Sequence, residues 1–269
     1  MREVVVFGGF DDLRAWQVRF LHEASRLGRV HVYLWADEAV RSQTGAGPKF
    51  LLDERLYLLE SLRFVNRVEV VWPRDPDVLP YVEEDNPPIW VVDETQHNDR
   101  KRMFAVSFGL GYQVLRKTDL AGWPVLPPAP TTGRKKVLVT GCFDWLHSGH
   151  VRFLEEAAQL GELYVLVGHD ANIQLLKGDG HPMFGQEQRR YMVQAVRFVH
   201  QALVSSGNGW MDAEPEIALL KPDIYAVNQD GDKPEKRQFC QEHGLDYVVL
   251  KRLPKEGLPP RESTVLRGL

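Results

Sequence analysis

Residues 137–170 read VLVTGCFDWLHSGHVRFLEEAAQLGELYVLVGHD, and residues 4–37 read VVVFGGFDDLRAWQVRFLHEASRLGRVHVYLWAD. Laid over one another without a gap, the two stretches agree at 16 of 34 positions. The matches include Gly8/Gly141, Phe10/Phe143, Asp11/Asp144, Arg19/Arg152, Gly28/Gly161 and Asp37/Asp170. The likeness continues outward. Phe50, Arg55 and Tyr57 fall against Phe184, Arg189 and Tyr191, and Ile89-Trp90-Val91-Val92 against Ile224-Tyr225-Ala226-Val227. Self-similarity at a fixed offset marks a repeated structural unit. We expect one domain over residues 1–120 and a second over 135–269. The connection between them, AGWPVLPPAPTTGR (121–134), is proline-rich and lacks apolar periodicity, which suits an extended, stiff linker.

Within each copy, short β-branched runs alternate with helical patterns. In the second, Val137 to Thr140, Leu163 to Val167, Ala202 to Val204, Ile224 to Val227 and Tyr247 to Leu250 read as strands. Gly149 to Leu160 and Gln186 to Val199 read as helices, and Pro215 and Pro234 open two more. Strands alternating with helices imply an α/β class fold: a parallel sheet in each copy, covered by helices on both faces. Ligands then belong at the carboxyl ends of the strands, where the strand order reverses.

Composition narrows the function. The chain has 269 residues, 43% hydrophobic and 26% charged, with a net charge of −4, which gives no sign of a nucleic-acid partner. No apolar stretch approaches the roughly 18 residues of a membrane span. The opening run MREVVVFGGFDDLRAW is too short for a signal peptide. Two distant cysteines, Cys142 and Cys240, build neither a disulfide framework nor a zinc site. The expectation is a soluble, cytoplasmic protein with no membrane partner.

The chemistry concentrates where the first strand of the second copy enters its first helix, at Gly141-Cys142-Phe143-Asp144-Trp145-Leu146-His147-Ser148-Gly149-His150. Helix starts present free N–H groups and a positive dipole end to phosphates. His147 and His150, three apart, fall on one helix face. Gly149 removes a side chain where a phosphate would approach the backbone. Together these predict a cationic hollow that stabilises growing charge on a phosphate. Alone, an HxxH pair also fits structural histidines or half of a zinc site, but no third ligand is spaced to complete a metal centre.

GCFDWLHSGH resembles the HxGH signature of the nucleotidylyltransferase superfamily, above all the cytidylyltransferases that activate glycerol phosphate, phosphocholine and phosphoethanolamine. In layout the chain is similar to the tandem-domain ethanolamine-phosphate enzymes. The resemblance implies two Rossmann-like, HUP-type domains. It also implies a reaction in which a substrate phosphate attacks the α-phosphate of CTP, with Mg²⁺, and expels pyrophosphate. Alternatives are an adenylyltransferase using ATP on a sugar phosphate or cofactor precursor, and a nucleotide-binding regulatory protein without turnover.

Carried over position by position, the resemblance gives catalytic roles to His147, His150, Lys177 and Arg252. It places Gly141, Cys142, Phe143, Asp144, Gly149, Arg189, Asp230, Ser263 and Thr264 at the nucleotide. Trp145, Asp170 and Trp210 are candidates for the acceptor pocket, although Asp144 and Asp170 recur as Asp11 and Asp37 and suit framework roles equally. The sequence departs from the family at Gln229-Asp230 and at Arg261-Glu262-Ser263-Thr264.

In the first copy, Arg14-Ala15-Trp16-Gln17 stands where the second has His147-Ser148-Gly149-His150. The framework residues are kept and the chemical ones are gone. Trp16 is expected to block the phosphate position. A monomer with an internal pseudo-dimer is expected, the first copy serving as fixed partner to the second.

Overall fold

The computed structural model describes residues 2–82 and 85–266, which divide into two compact units, Met1–Gly122 and Trp123–Leu269. In the first unit the order is β1 (Glu3–Gly8), α1 (Ala15–Ser25), β2 (Arg29–Trp35), α2 (Asp37–Thr44), α3 (Leu52–Glu60), β3 (Val65–Val71), β4 (Ile89–Asp93), α4 (Asp99–Ser107) and β5 (Gly111–Leu115). The second begins with β6 (Lys136–Gly141), α5 (Ser148–Leu160), β7 (Glu162–Val167), α6 (Asp170–Lys177), α7 (Gln186–Gln194) and β8 (Val199–Val204). It continues with α8 (Glu214–Leu220), β9 (Ile224–Asn228), α9 (Pro234–Glu242), β10 (Asp246–Leu250) and the short α10 (Ser263–Leu266).

Each unit is built on a parallel five-stranded sheet. The orders are β3-β2-β1-β4-β5 and β8-β7-β6-β9-β10, one topology twice. Even the irregularities repeat. A register shift falls between Val30 and His31 in one sheet and between their counterparts Leu163 and Tyr164 in the other. A Cβ on Gly28 would stand 2.1 Å from the Arg2 carbonyl oxygen, and one on Gly161 2.0 Å from that of Lys135. Only glycine lets the turn into the second strand of each unit pass so close to the first.

The strands are nearly continuous apolar runs because both faces are covered: Val137, Leu138 and Val139 are fully buried, as are Val4 and Val6. α5 buries Val151, Leu154 and Ala157 at helical spacing against this sheet. Pro215 and Pro234 sit in the first turns of α8 and α9, where a missing N–H costs nothing.

One helix is shorter than its periodicity predicts. The pattern from Gln186 runs on to Val199, but α7 stops at Gln194 and Val199 begins a strand. Gln194, 1% exposed, ends it by turning its amide onto the next strand, accepting from Ala202 N and donating to His200 O. Two side-chain bonds to the backbone replace the next helical turn. The proline-rich stretch has no regular structure, yet from Trp123 onward it lies on the second unit. Trp123 O accepts from Arg190, Ala129 N donates to His200 O at 2.9 Å, and the Glu162 carboxylate takes Thr132 and Gly133.

Candidate active site

β6 ends at Gly141, and the chain must turn sharply to start α5 seven residues later. Phe143 makes that turn in the left-handed region at φ 51, as Phe10 does in the first unit at φ 46. Such a conformation is costly for a side chain of this size and persists only when its surroundings enforce it. Here a Cβ on Gly141 would meet the Phe143 ring at 2.8 Å, so glycine makes the space for that ring. Asp144 ties the turn down by accepting Met183 N and Phe184 N at 2.8–2.9 Å.

The turn delivers His147 to the N-cap of α5 and His150 to its first turn. Their rings stack with centroids 4.0 Å apart and planes 23° apart, and the Phe143 ring meets His150 edge-on at 5.3 Å. His147 is 2% exposed, and the Nδ1 atoms of both rings are buried with no hydrogen-bond partner. Burial holds His147 well below the ordinary histidine pKa, with His150, Arg252 and Arg261 adding to the effect. Burial likewise brings His150 down to about 4, against a backbone hydrogen bond at Trp145 that pulls upward. Both rings are therefore neutral near pH 7. Burial thus disfavours charge on the imidazoles themselves, and Lys177, Arg252 and Arg261 bring positive charge to the expected cationic hollow.

Gly149 also has a different reason from the expected one. A Cβ there would stand 3.1 Å from the His147 ring and 3.4 Å from the Arg261 carbonyl oxygen, so glycine admits the imidazole and the C-terminal segment.

Beside His150 lies a cavity of about 230 Å³ at the carboxyl ends of β6 and β9, where the strand order reverses. Its walls bring together Gly141, Cys142, Phe143, Asp144, Lys177, Asp230 and Ser263, all expected from the sequence. A smaller adjoining cavity is lined by Gly149, Asn228, Arg252, Arg261 and Glu262. Burial raises the Cys142 thiol pKa, which suits a wall residue and not a nucleophile.

The Cytidylyltransferase-like family model matches residues 138–258. The FAD synthase of Ferroglobus placidus is 37% identical over 125 residues, 45% of this chain and 78% of that protein. The FAD synthase of Methanopyrus kandleri is 36% identical over 137 residues, 49% of this chain and 87% of its own. This chain is a cytidylyltransferase-like nucleotidyltransferase. A shorter likeness, 35% over 99 residues, links it to the bifunctional protein HldE of Pelobacter propionicus, covering 36% of this chain and 20% of that one.

Other sequence-derived residues of this nucleotidyltransferase fall away from the cavity. Arg189 is 1% exposed, and its guanidinium is spent on Phe184 O, Cys142 O, Gly168 O and Asp170. Arg55 makes the same four kinds of bond to Phe50 O, Gly9 O, Trp35 O and Asp37 in the unit that lacks the histidines. The arginine and its aspartate thus belong to the shared framework, as does Asp144, whose counterpart Asp11 accepts Lys49 N and Phe50 N. Neither Arg189, expected at the nucleotide, nor Asp170, expected at the acceptor, lines either cavity.

Trp145 is 7% exposed and packs inside, and Trp210 stands out in solvent with Lys233 4.9 Å above its ring; neither lines the cavity. Arg252 pairs with Asp230 at 3.0 Å and reaches Glu262 at 3.7 Å. Ser263 opens α10 with its hydroxyl 3.5 Å from Trp145 O, and Thr264 follows, its side chain outside the described residues. Trp16 is 48% exposed, so its ring does not plug a hollow in the first unit. There Gln17 accepts from Arg14 N at 2.7 Å and occupies the helix start itself.

Sequence reasoning passed over Thr140, Phe153, His181, Asn228 and Lys236, all on the cavity wall. For Lys236 a signal existed: Cys240, four residues on, puts it on the inward face of a helix.

Proposed function

We propose that the second unit transfers an adenylyl group from ATP to a small phosphorylated acceptor, and that FMN is the first acceptor to test. An oxygen of the acceptor phosphate attacks the α-phosphorus of ATP. The bond from that phosphorus to the β-bridging oxygen breaks, the oxygen keeps the electron pair, and pyrophosphate leaves. The product is a phosphoanhydride. No covalent link to the protein is required, so the protein's task is positioning and electrostatics.

The observation that carries this reading is the stacked His147–His150 pair at a helix start beside a cavity with lysines in its wall. A neutral imidazole keeps one N–H to donate, and a dry site strengthens that bond as charge grows on the α-phosphate. Lys177, which forms no ion pair among the described residues, neutralises phosphate oxygens from the cavity side. Arg252 can exchange its Asp230 and Glu262 partners for the triphosphate tail, held also by Ser263 and Thr264.

Among the described residues no group of three or more His, Cys, Asp or Glu side chains could hold a metal. A Mg²⁺ bound to the nucleotide's phosphates would offset the charge of the pyrophosphate. The choice of ATP over CTP follows the two FAD synthases, whose named product joins FMN to an adenylyl group. It replaces the CTP expectation drawn from the motif alone. Pyrophosphate release measured with ATP and with CTP, against FMN, phospho-alcohols and sugar phosphates, tests the proposal. ATP-dependent release supports it. Release with CTP alone would return the cytidylyl reading, and binding without release would remove catalysis.

A further inference from the structure

Lys236 is 9% exposed, lies on the inward face of α9 and lines the larger cavity. Its ammonium stands 5.7 Å from the centroid of the Tyr225 ring, whose hydroxyl is already held by Thr140 at 3.0 Å. Lysines are almost never buried this far without a carboxylate. Three carboxylates reach Lys236 only through their fields and are engaged elsewhere, Asp212 by the Ser205 hydroxyl at 2.6 Å, Asp230 by Arg252 at 3.0 Å, and Asp232 by Arg237 and the Tyr247 hydroxyl. Among the described residues its amine has no ion pair and no side-chain hydrogen bond. Burial accordingly lowers its pKa from the ordinary lysine value. The Tyr225 ring and these distant carboxylates offset only part of the cost of desolvating the cation. Such a group is expected where a ligand completes it.

The cations of the site divide into two sets around His150. Lys177 and Lys236 face the larger cavity, and Arg252 and Arg261 line the smaller one. In-line transfer needs this division, because the attacking phosphate and the departing pyrophosphate lie on opposite sides of the α-phosphorus. The geometry points to Lys236, acting with Lys177, as the binding site for the acceptor's phosphate monoester, and leaves the arginine side to the triphosphate tail. This rests on the transfer reaction proposed above, and it defines the acceptor class: a doubly charged terminal phosphate, not a neutral alcohol or a carboxylate.

The test uses the full chain with Lys236→Met, Lys236→Gln and Lys236→Arg. Inorganic phosphate is titrated calorimetrically into each, and KM values are measured for ATP and for the acceptor found to turn over. Loss of a charged hydrogen bond predicts a rise of roughly 10- to 100-fold in phosphate Kd and acceptor KM for the Met and Gln variants. ATP KM should hold within about twofold, and Lys236→Arg should recover most of the affinity. Removing an unpartnered buried charge should leave the unfolding midpoint unchanged or raised, which separates binding from folding. Equal phosphate affinity in parent and variants, absence of saturable phosphate binding by the parent, or an equal rise in ATP KM would each overturn the assignment. The phosphate titration needs no turnover, so it stands even if no nucleotide is consumed. ATP-dependent release with an unchanged acceptor KM in Lys236→Met would discard the lysine and keep the reaction.

Discussion

Replacing Arg189 by Met keeps the aliphatic stem and removes a guanidinium that makes four hydrogen bonds of 2.6–2.8 Å. Three acceptors are main-chain carbonyls, on Phe184, Cys142 and Gly168, and the substitution strips them of this donor. A buried polar atom left without its partner costs about 1–3 kcal/mol, less whatever water or relaxation restores. Asp170 is 46% exposed and rehydrates at little cost. We expect a loss of about 3–5 kcal/mol, the range for breaking a buried charged group out of its network. In a unit of this size that lowers Tm by roughly 10 °C or more. Urea unfolding at constant temperature reads the free energy directly, and Arg55→Met should lose a similar amount from the first unit because its bonds are the same. At a temperature where the variant remains folded, ATP KM should stay within a few-fold of the parent. Unchanged stability together with a KM raised a hundredfold would show that the guanidinium serves the nucleotide and that the framework reasoning is wrong.

Other outcomes follow from the same geometry. His147→Ala and His150→Ala should each lower turnover by about 10²–10³, the cost of one transition-state donor, with binding of ATP largely kept; normal turnover in either would take that ring out of the mechanism. His150, like His22 in the first unit, is held near pKa 4 by burial and titrates near 6.5 when unfolded. The unfolded chain therefore binds more protons between those values, and the stability each neutral ring contributes is lost as pH falls from about 6.5 toward 4. Urea unfolding at pH 7 and pH 5 should differ by about 2 kcal/mol more in the parent than in His22→Phe, and equal differences would contradict the burial argument. Gly161→Ala should destabilise by more than about 2 kcal/mol, because its Cβ would lie 2.0 Å from the Lys135 carbonyl oxygen; a folded variant of parental stability would show that the turn can shift.

The duplicated fold was legible because apolar runs, glycines and the Asp11/Asp144 pair repeat at a constant offset, and each repeat forces the same local geometry. The histidine pair was legible from its spacing at a strand-to-helix turn. Its charge state was not, since that depends on burial in the folded site and on Arg252 and Arg261, brought to the rings from far along the chain. Arg189 illustrates the converse case: its motif suggests a ligand contact, whereas Arg55, at the matching position of a copy without histidines, makes the same bonds and favours a framework role. For Gly149 and Trp16 the sequence shows how much room a side chain takes, but what lies beside each position is set by the folded backbone. Lys236 sits among Pro234, Glu235 and Arg237 and resembles an ordinary solvated helix face; Cys240, four residues on, is a slight signal of an inward position, which the packing of α9 against Tyr225 establishes.

The stretch from Trp123 to Gly133 is fastened along the second unit by backbone bonds to His200 and Arg190 and by the Glu162 carboxylate. Leu126 is buried there, and the Trp123 ring lies 5.8 Å from that of Tyr191. Anyone excising the histidine-bearing half for calorimetry or crystallisation should cut before Trp123. A fragment trimmed to the first strand would lose a belt that covers apolar surface, and its poor behaviour could be mistaken for dependence on the missing half.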